Sequence, residues 1–149
     1  MSSINSYIQK NFGRFTDELL DLLRIPSVSA DSKHNEDTAR CADAVMNALL
    51  KAGCTHAEIC PTEGHPIVYG EKIIDPSLPT VLTYGHYDVQ PADISDGWKN
   101  DPFDLITADN RLVGRGAVDN KGQIMIHIYT VLELIKTNNL KYNIRFMIE

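Results

Sequence analysis

Apolar residues recur along this chain with two different periods, and the order in which those periods alternate restricts the fold more than any other feature. Ile4, Ile8, Phe12, Phe15, Leu19 and Leu22–Leu23 fall three and four apart, one stripe of an amphipathic helix that Pro26 ends. The polar connection Ser27–Lys33 leads into a second helix over Asn35–Ala52, with Ala42, Val45, Leu49 and Ala52 on one face and Gly53 as its stop. Short strands follow: Glu58–Cys60 and Ile67–Ile74 as a candidate pair, then Thr80–Tyr84, which opens after Pro79 and stops at Gly85. Pro91–Asp109 reads as a long polar loop, a kind of segment that often carries function. Arg111–Arg115 reads as a strand and Lys121–Lys136 as a helix with Ile124, Ile128, Val131, Leu132 and Ile135 inward. Tyr142–Ile148 reads as a last strand. Helices alternating with strands predict an α/β fold in one domain, layered α/β/α, with a mixed, largely parallel sheet.

Charge and apolar patterning exclude whole classes of partner. Fourteen basic residues against twenty acidic ones give a net charge of -6, without the basic face that nonspecific nucleic-acid binding needs. The longest apolar stretch, Ile124–Ile135, is interrupted by His127, Thr130 and Glu133 and is shorter than the ~20 residues a bilayer requires, so no membrane span is expected. Met1–Phe12 lacks a basic start followed by an apolar run, so no secretory signal is read there. The odd, sparse set Cys41, Cys54 and Cys60 then reads as reduced thiols of a cytoplasmic protein. The chain stops inside the apolar strand Asn143–Glu149 with no polar tail. An unpaired strand at a terminus is a liability, so a fragment of a longer chain is expected.

Three strands end beside residues able to do chemistry. Thr80–Tyr84 runs into Gly85-His86-Tyr87-Asp88, Arg111–Arg115 into Gly116-Ala117-Val118-Asp119-Asn120-Lys121-Gly122, and the last strand into Glu149. Open α/β sheets bind ligands beyond the carboxyl ends of their strands, so His86, Asp88 and Asp119 can converge there. Positions i and i+2 of an extended chain point to one side. Asp88 can therefore accept the free N–H of a metal-bound His86 imidazole, or make only turn hydrogen bonds. Asp119 precedes a helix, where a carboxylate gains about 0.3–1 kcal/mol by capping it. Asn120 can take that role instead, leaving Asp119 to bridge two cations. Gly114–Asp119 has the outline of a dinucleotide loop, but a carboxylate stands where the third glycine belongs and would repel pyrophosphate. Cys54, His56, Cys60 and His65 lack the paired Cys-x-x-Cys spacing of a zinc knuckle and read as buried cysteines and exposed histidines on a strand. His127, on the outer face of its helix, and His34, in a polar loop, read as solvated.

Val81–Pro91, Gly97-Trp98-Lys99-Asn100-Asp101-Pro102-Phe103 and Gly114–Gly122, together with the early Arg24-Ile25-Pro26-Ser27-Val28-Ser29, resemble the di-zinc exopeptidase family. That family contains carnosinase-type dipeptidases, acetylornithine deacetylase and succinyl-diaminopimelate desuccinylase. Tyr87 and Gln90-Pro91 are more similar to the dipeptidase branch. The resemblance implies that residues 1–149 are the N-terminal portion of a catalytic domain that hydrolyses dipeptides or short peptides with a zinc-activated water. It implies two zinc ions per complete site, with His86 ligating one, Asp119 bridging both, Asp88 orienting His86, and a cis peptide at Asp119–Asn120. Glu149 matches the first glutamate of the family's Glu-Gly-x-Glu-Glu. The general base, the remaining ligands and the lid or dimerisation domain, through which the parent would form a homodimer, would lie outside these residues. Asp119 offsets one of the four positive charges of a zinc pair, leaving about +3 and too few of the roughly four ligands each ion prefers, so these residues alone are not expected to hold the pair. Two alternatives stand beside this reading: an N-acyl amino acid deacylase of the same family, and a noncatalytic α/β module.

Overall fold

The computed structural model describes residues 3–109 and 111–149; of the Met1–Phe12 stretch, Met1 and Ser2 lie outside the described residues. Three helices and six strands follow in the order α1 (Ser3–Leu23), α2 (Asn35–Ala52), β1 (His56–Cys60), β2 (Ile67–Lys72), β3 (Thr80–Gly85), β4 (Ile106–Ala108), β5 (Arg111–Val113), α3 (Lys121–Lys136) and β6 (Asn143–Ile148). The bounds of α2 and α3 are those the apolar periodicity predicts. In α2 the chemistry of the ends agrees with the pattern. Glu36 and Asp37 sit in its first turn, Lys51 in its last, and Gly53 closes it at φ 103 with its N–H turned back to Leu50 O.

β1, β2, β6 and β3 lie side by side in one sheet. It is mixed, as the alternation of elements suggests, but its parallel share is smaller than the sequence led us to expect. β3 runs parallel to β6, while β2 is antiparallel to both β1 and β6. The reason is local. Cys60 and Ile67 are joined by a short Pro-containing connection, which turns β2 back along β1, whereas only β3 and β6 are linked through a helix.

One face of the sheet is the core. Ile144, Phe146 and Ile148 alternate inward from β6, and Val68 joins them from β2. A side chain on Gly70, the register partner of Phe146, would meet Leu49 of α2; one on Gly85, the partner of Ile148, would meet Ile124 of α3. Both helices therefore cover the same face, and α1 packs onto α3 behind it. The opposite face carries Tyr69, Glu71, Leu82, Tyr84, Arg145 and Met147, with Leu82 and Tyr84 more than half exposed. Among the described residues, no helix packs there. Two of the three expected α/β/α layers are present, because the three helices α1, α2 and α3 all serve one side.

The stretch read as a loop over Pro91–Asp109 ends in a strand. β4 pairs with β5 as a small antiparallel ribbon, turning through Asp109 at φ 52. Arg115 anchors the preceding segment: its N–H reaches Pro102 O at 2.9 Å and its guanidinium lies over the Trp98 ring, 5.4 Å from the centroid. Among the described residues, no helix is long and apolar enough to cross a membrane.

Candidate metal centre

The parallel pair β3–β6 delivers two strand ends to one place. Beyond it the ladder continues through Glu149 N to Gly85 O at 3.1 Å and Tyr87 N to Glu149 O at 2.7 Å, which fixes the backbone on both sides of His86. Gly85 is required there. A Cβ at this position would stand 2.6 Å from Asn120 Oδ1 and 2.4 Å from Ile124, so only glycine lets the start of α3 close on the strand end. Asn120 uses that approach: its side-chain oxygen accepts the His86 N–H at 3.2 Å. On the other side of the loop, Gly116 turns at φ 84, where a side chain would also run into Val89.

His86, Asp88 and Asp119 come together as the sequence suggested. The His86 imidazole is spanned by two carboxylates, with Nδ1 2.9 Å from Asp88 Oδ1 and Nε2 3.0 Å from Asp119 Oδ1. The two carboxylates differ in setting. Asp88 is one-third exposed and Asp119 is 82% exposed. Burial pulls the imidazole pKa down, but the hydrogen bonds to Asp88 and Asp119 outweigh it, and the net displacement is upward. The Asp119–Asn120 peptide is cis. Neither capping alternative occurs: Asn120 sits at the N-cap of α3 but makes no side-chain cap bond, and the Asp119 carboxylate turns to His86.

Several residues to which the sequence reading assigned no individual role hold this arrangement. Ser29 Oγ donates to Asp88 Oδ2 at 2.5 Å, and Ser27 Oγ donates to Tyr87 O at 2.7 Å. Lys121 is fully buried, and its Nζ donates to Leu22 O at 3.2 Å and to Ile25 O at 2.7 Å, tying the last turn of α1 and the segment after it to the start of α3, next to Asp119. Burial lowers the Lys121 pKa, opposed by nearby Cys41 and Asp88. Tyr87, also fully buried, donates its hydroxyl to Pro66 O at 2.5 Å, and burial pushes its pKa up to about 12. Beyond its place in the Gly114–Gly122 stretch, the signal for Lys121 was a lysine directly after Asp119-Asn120 at the first turn of a helix, where a cation opposes the dipole.

The other histidines are elsewhere. His127 is exposed, as expected. His34 is half-buried and bonded to Asp37 at 2.8 Å rather than solvated, because the 3₁₀ turn Ser32–His34 delivers it to the first turn of α2. His65, read as exposed, is half-buried, with Nε2 2.9 Å from Ser29 O. Among the described residues no group of three or more histidine, cysteine or carboxylate side chains could hold a metal ion, so His86 and Asp119 stand as a pair.

Residues 82–149 match the model of peptidase family M20/M25/M40. The chain is 38% identical to the Cys-Gly metallodipeptidase dug1 of Schizosaccharomyces pombe over 136 residues, covering 84% of this chain and 28% of that protein. It is 46% identical to the Beta-Ala-His dipeptidase of Mus musculus over 85 residues, 56% of this chain and 17% of that one. Its backbone superposes on the crystal structure of human carnosine dipeptidase 1 with a TM-score of 0.87 at 31% identity, over 97% of this chain and 33% of the other. The chain thus spans about a third or less of the length of these relatives.

Proposed function

Since the chain belongs to peptidase family M20/M25/M40, we propose that it supplies one wall of a di-zinc site that hydrolyses dipeptides, with His86 and Asp119 as metal ligands and Asp88 as the carboxylate that orients His86. The observation that carries this reading is the span of the imidazole, Nδ1 on Asp88 at 2.9 Å and Nε2 facing Asp119 at 3.0 Å. A neutral imidazole that donates from Nδ1 has its lone pair on Nε2, directed at the same space as a carboxylate with two oxygens. Imidazole nitrogen with carboxylate oxygen is a donor set that suits zinc, and the exposed Asp119 has an oxygen free for a second ion. Two side chains are fewer than the roughly four ligands one zinc takes, so the residues fit as part of a centre that the rest of the protein completes.

Divalent metal bound there would polarise the scissile carbonyl and lower the pKa of a water molecule. The residues of this chain have narrower tasks. Asp88 holds the Nδ1 proton and keeps the ring from turning. His86 would offer the metal a neutral nitrogen donor, and Asp119 would supply it with negative charge. The proton transfers that complete hydrolysis need a general base from outside these residues. The whole protein would act in the cytoplasm, as a homodimer formed through another domain. The substrates carried by the names of its relatives, Cys-Gly and β-Ala-His, make a dipeptide the expected substrate class.

The test uses the whole protein. Asp119→Ala should lose both zinc, read by elemental analysis, and turnover of Cys-Gly and β-Ala-His. Retained turnover in that variant refutes the bridging role. Wild-type protein that cleaves N-acetyl amino acids and leaves both dipeptides intact refutes the substrate class.

A further inference from the structure

We propose that Ser29 is a positioning residue for the metal-facing histidine, acting through Asp88. This inference rests on the reading of His86 as a ligand and adds a hydroxyl 57 residues earlier in the chain that the reading does not require.

An ionised carboxylate can only accept hydrogen bonds, and it has two oxygens to offer. Asp88 Oδ2 takes the Ser29 hydroxyl at 2.5 Å, while Oδ1 takes His86 Nδ1 at 2.9 Å. With both oxygens engaged, the carboxylate plane has one orientation, and the imidazole is held by a fixed acceptor. Without the serine, Asp88 keeps enough exposure for water to compete for either oxygen, and the carboxylate is free to turn. An imidazole whose acceptor moves shares its single proton between Nδ1 and Nε2, and the Nε2–H form cannot bind a cation at that nitrogen.

The serine is itself held in place. Val89 N donates to Ser27 O at 2.9 Å, and Ser27 Oγ donates to Tyr87 O at 2.7 Å, so the Ser27–Ser29 segment is laced to the chain on both sides of Asp88. Ser27 and Val28 are buried. The far side of the segment is fixed by His65, which donates from Nε2 to Ser29 O at 2.9 Å because a carbonyl can only accept. Its near end is fixed by Lys121, which holds Ile25 O at 2.7 Å. A polar connection between two helices has thereby become a strap that sets the angle of one carboxylate.

The experiment compares zinc-free whole protein of wild type, Ser29→Ala and Ser29→Thr. Zinc affinity is measured by competition with a chromophoric chelator. The His86 tautomer is read from the ¹⁵N shifts of histidine-labelled protein at a pH where the ring is neutral. Partners that orient a metal-bound histidine are worth roughly 10–100-fold in metal affinity, and Ser29 acts one bond further out, so Ser29→Ala should lose about 10-fold and mix the two tautomers. Ser29→Thr keeps the hydroxyl and should restore both readings. Unchanged affinity with an unchanged tautomer in Ser29→Ala overturns the proposal, and so does a loss of affinity that Ser29→Thr shares in full. Should Ser29→Ala lose its cooperative urea transition, Ser29→Cys, a weak donor of similar size, takes its place in both measurements. Failure of the underlying reading looks different: Asp119→Ala then binds zinc as well as wild type, whatever the Ser29 variants do.

Discussion

The two carboxylates that flank His86 lie within hydrogen-bonding distance of the same ring, yet they belong to opposite kinds of surroundings. Asp88 is enclosed in a web that reaches the end of α1, the turn before β2 and the Ser27–Ser29 strap. Asp119 stands 82% exposed, with His86 as the partner of its carboxylate. Under the proposed function the contrast matches two jobs that a metal centre needs. A group that orients a ligand must be rigid before the metal arrives, and its rigidity is made from hydrogen bonds within the fold. A group that bridges cations must remain available to them, so the fold gives it little to hold. If this division is right, changes on the Asp88 side should register in stability and changes on the Asp119 side should not.

Lys121 offers the largest test of that division. Replacing it with Met keeps the stem and removes the charged donor, leaving Leu22 O and Ile25 O with one backbone donor each, Ile25 N at 3.3 Å and Ser27 N at 2.9 Å. A hydrogen bond from a charged donor contributes about 1.5–3 kcal/mol, and relief of the buried charge offsets part of the loss. The urea midpoint of the zinc-free whole protein should fall by an amount corresponding to about 2 kcal/mol. An unchanged midpoint would mean that the web around Asp88 does not depend on this anchor, and the contrast between the two sides would weaken.

A smaller effect should come from His86, which touches both sides. Its folded pKa is raised, because its bonds to Asp88 and Asp119 outweigh the opposing effect of burial. Protonation therefore stabilises the zinc-free fold. That contribution is fully present below the unfolded value of about 6.5 and is lost as pH rises through the folded value. The stability difference between wild type and His86→Asn should be larger at about pH 5.5 than at about pH 8.5. Partly exposed ion pairs are worth about 0–1 kcal/mol, which bounds the change. A difference that grows with pH would reverse the sign of the argument. Zinc competes with the same proton, so zinc affinity should weaken as the pH falls below that raised value.

What the sequence disclosed follows the same line between local and distant effects. The helices α2 and α3 were legible because a 3.6 period is a property of neighbouring residues, and for α2 the Gly53 stop agreed with it. That His86 and Asp119 approach each other was legible because His86 directly follows β3 and Asp119 lies just before α3. β4 was missed: Ile106–Ala108 is three residues long, too short for a period to show, and it exists by pairing with β5. The direction of β2 was left open, because strand direction is settled by connection length and register. Ser27 and Ser29 were read as part of a polar connection and of the early stretch that carries the resemblance, with no role of their own, since nothing near them in sequence announces a carboxylate 59 residues from Ser29. Lys121 was read as a helix start within the Gly114–Gly122 stretch, with no role of its own, for the same reason; its partners are 96 and 99 residues distant.

The smallest predicted effect is the most discriminating. Asp119→Asn preserves the shape of the side chain and removes its charge. With 82% of the side chain in water, the fold has little to lose, and exposed substitutions of this kind usually stay within about 0.5 kcal/mol. The bond to His86 adds little, since an ion pair so open to solvent is screened. The urea midpoint of the zinc-free protein should therefore match that of wild type, while zinc raises the wild-type midpoint and leaves Asp119→Asn behind, because a ligand that binds only the folded state stabilises it in proportion to its affinity. A carboxylate that contributes nothing to the empty fold but governs the response to zinc is held there for the cation. A clear loss of stability without zinc would instead make Asp119 one more member of the web around Asp88, and the division between the two sides would not survive it.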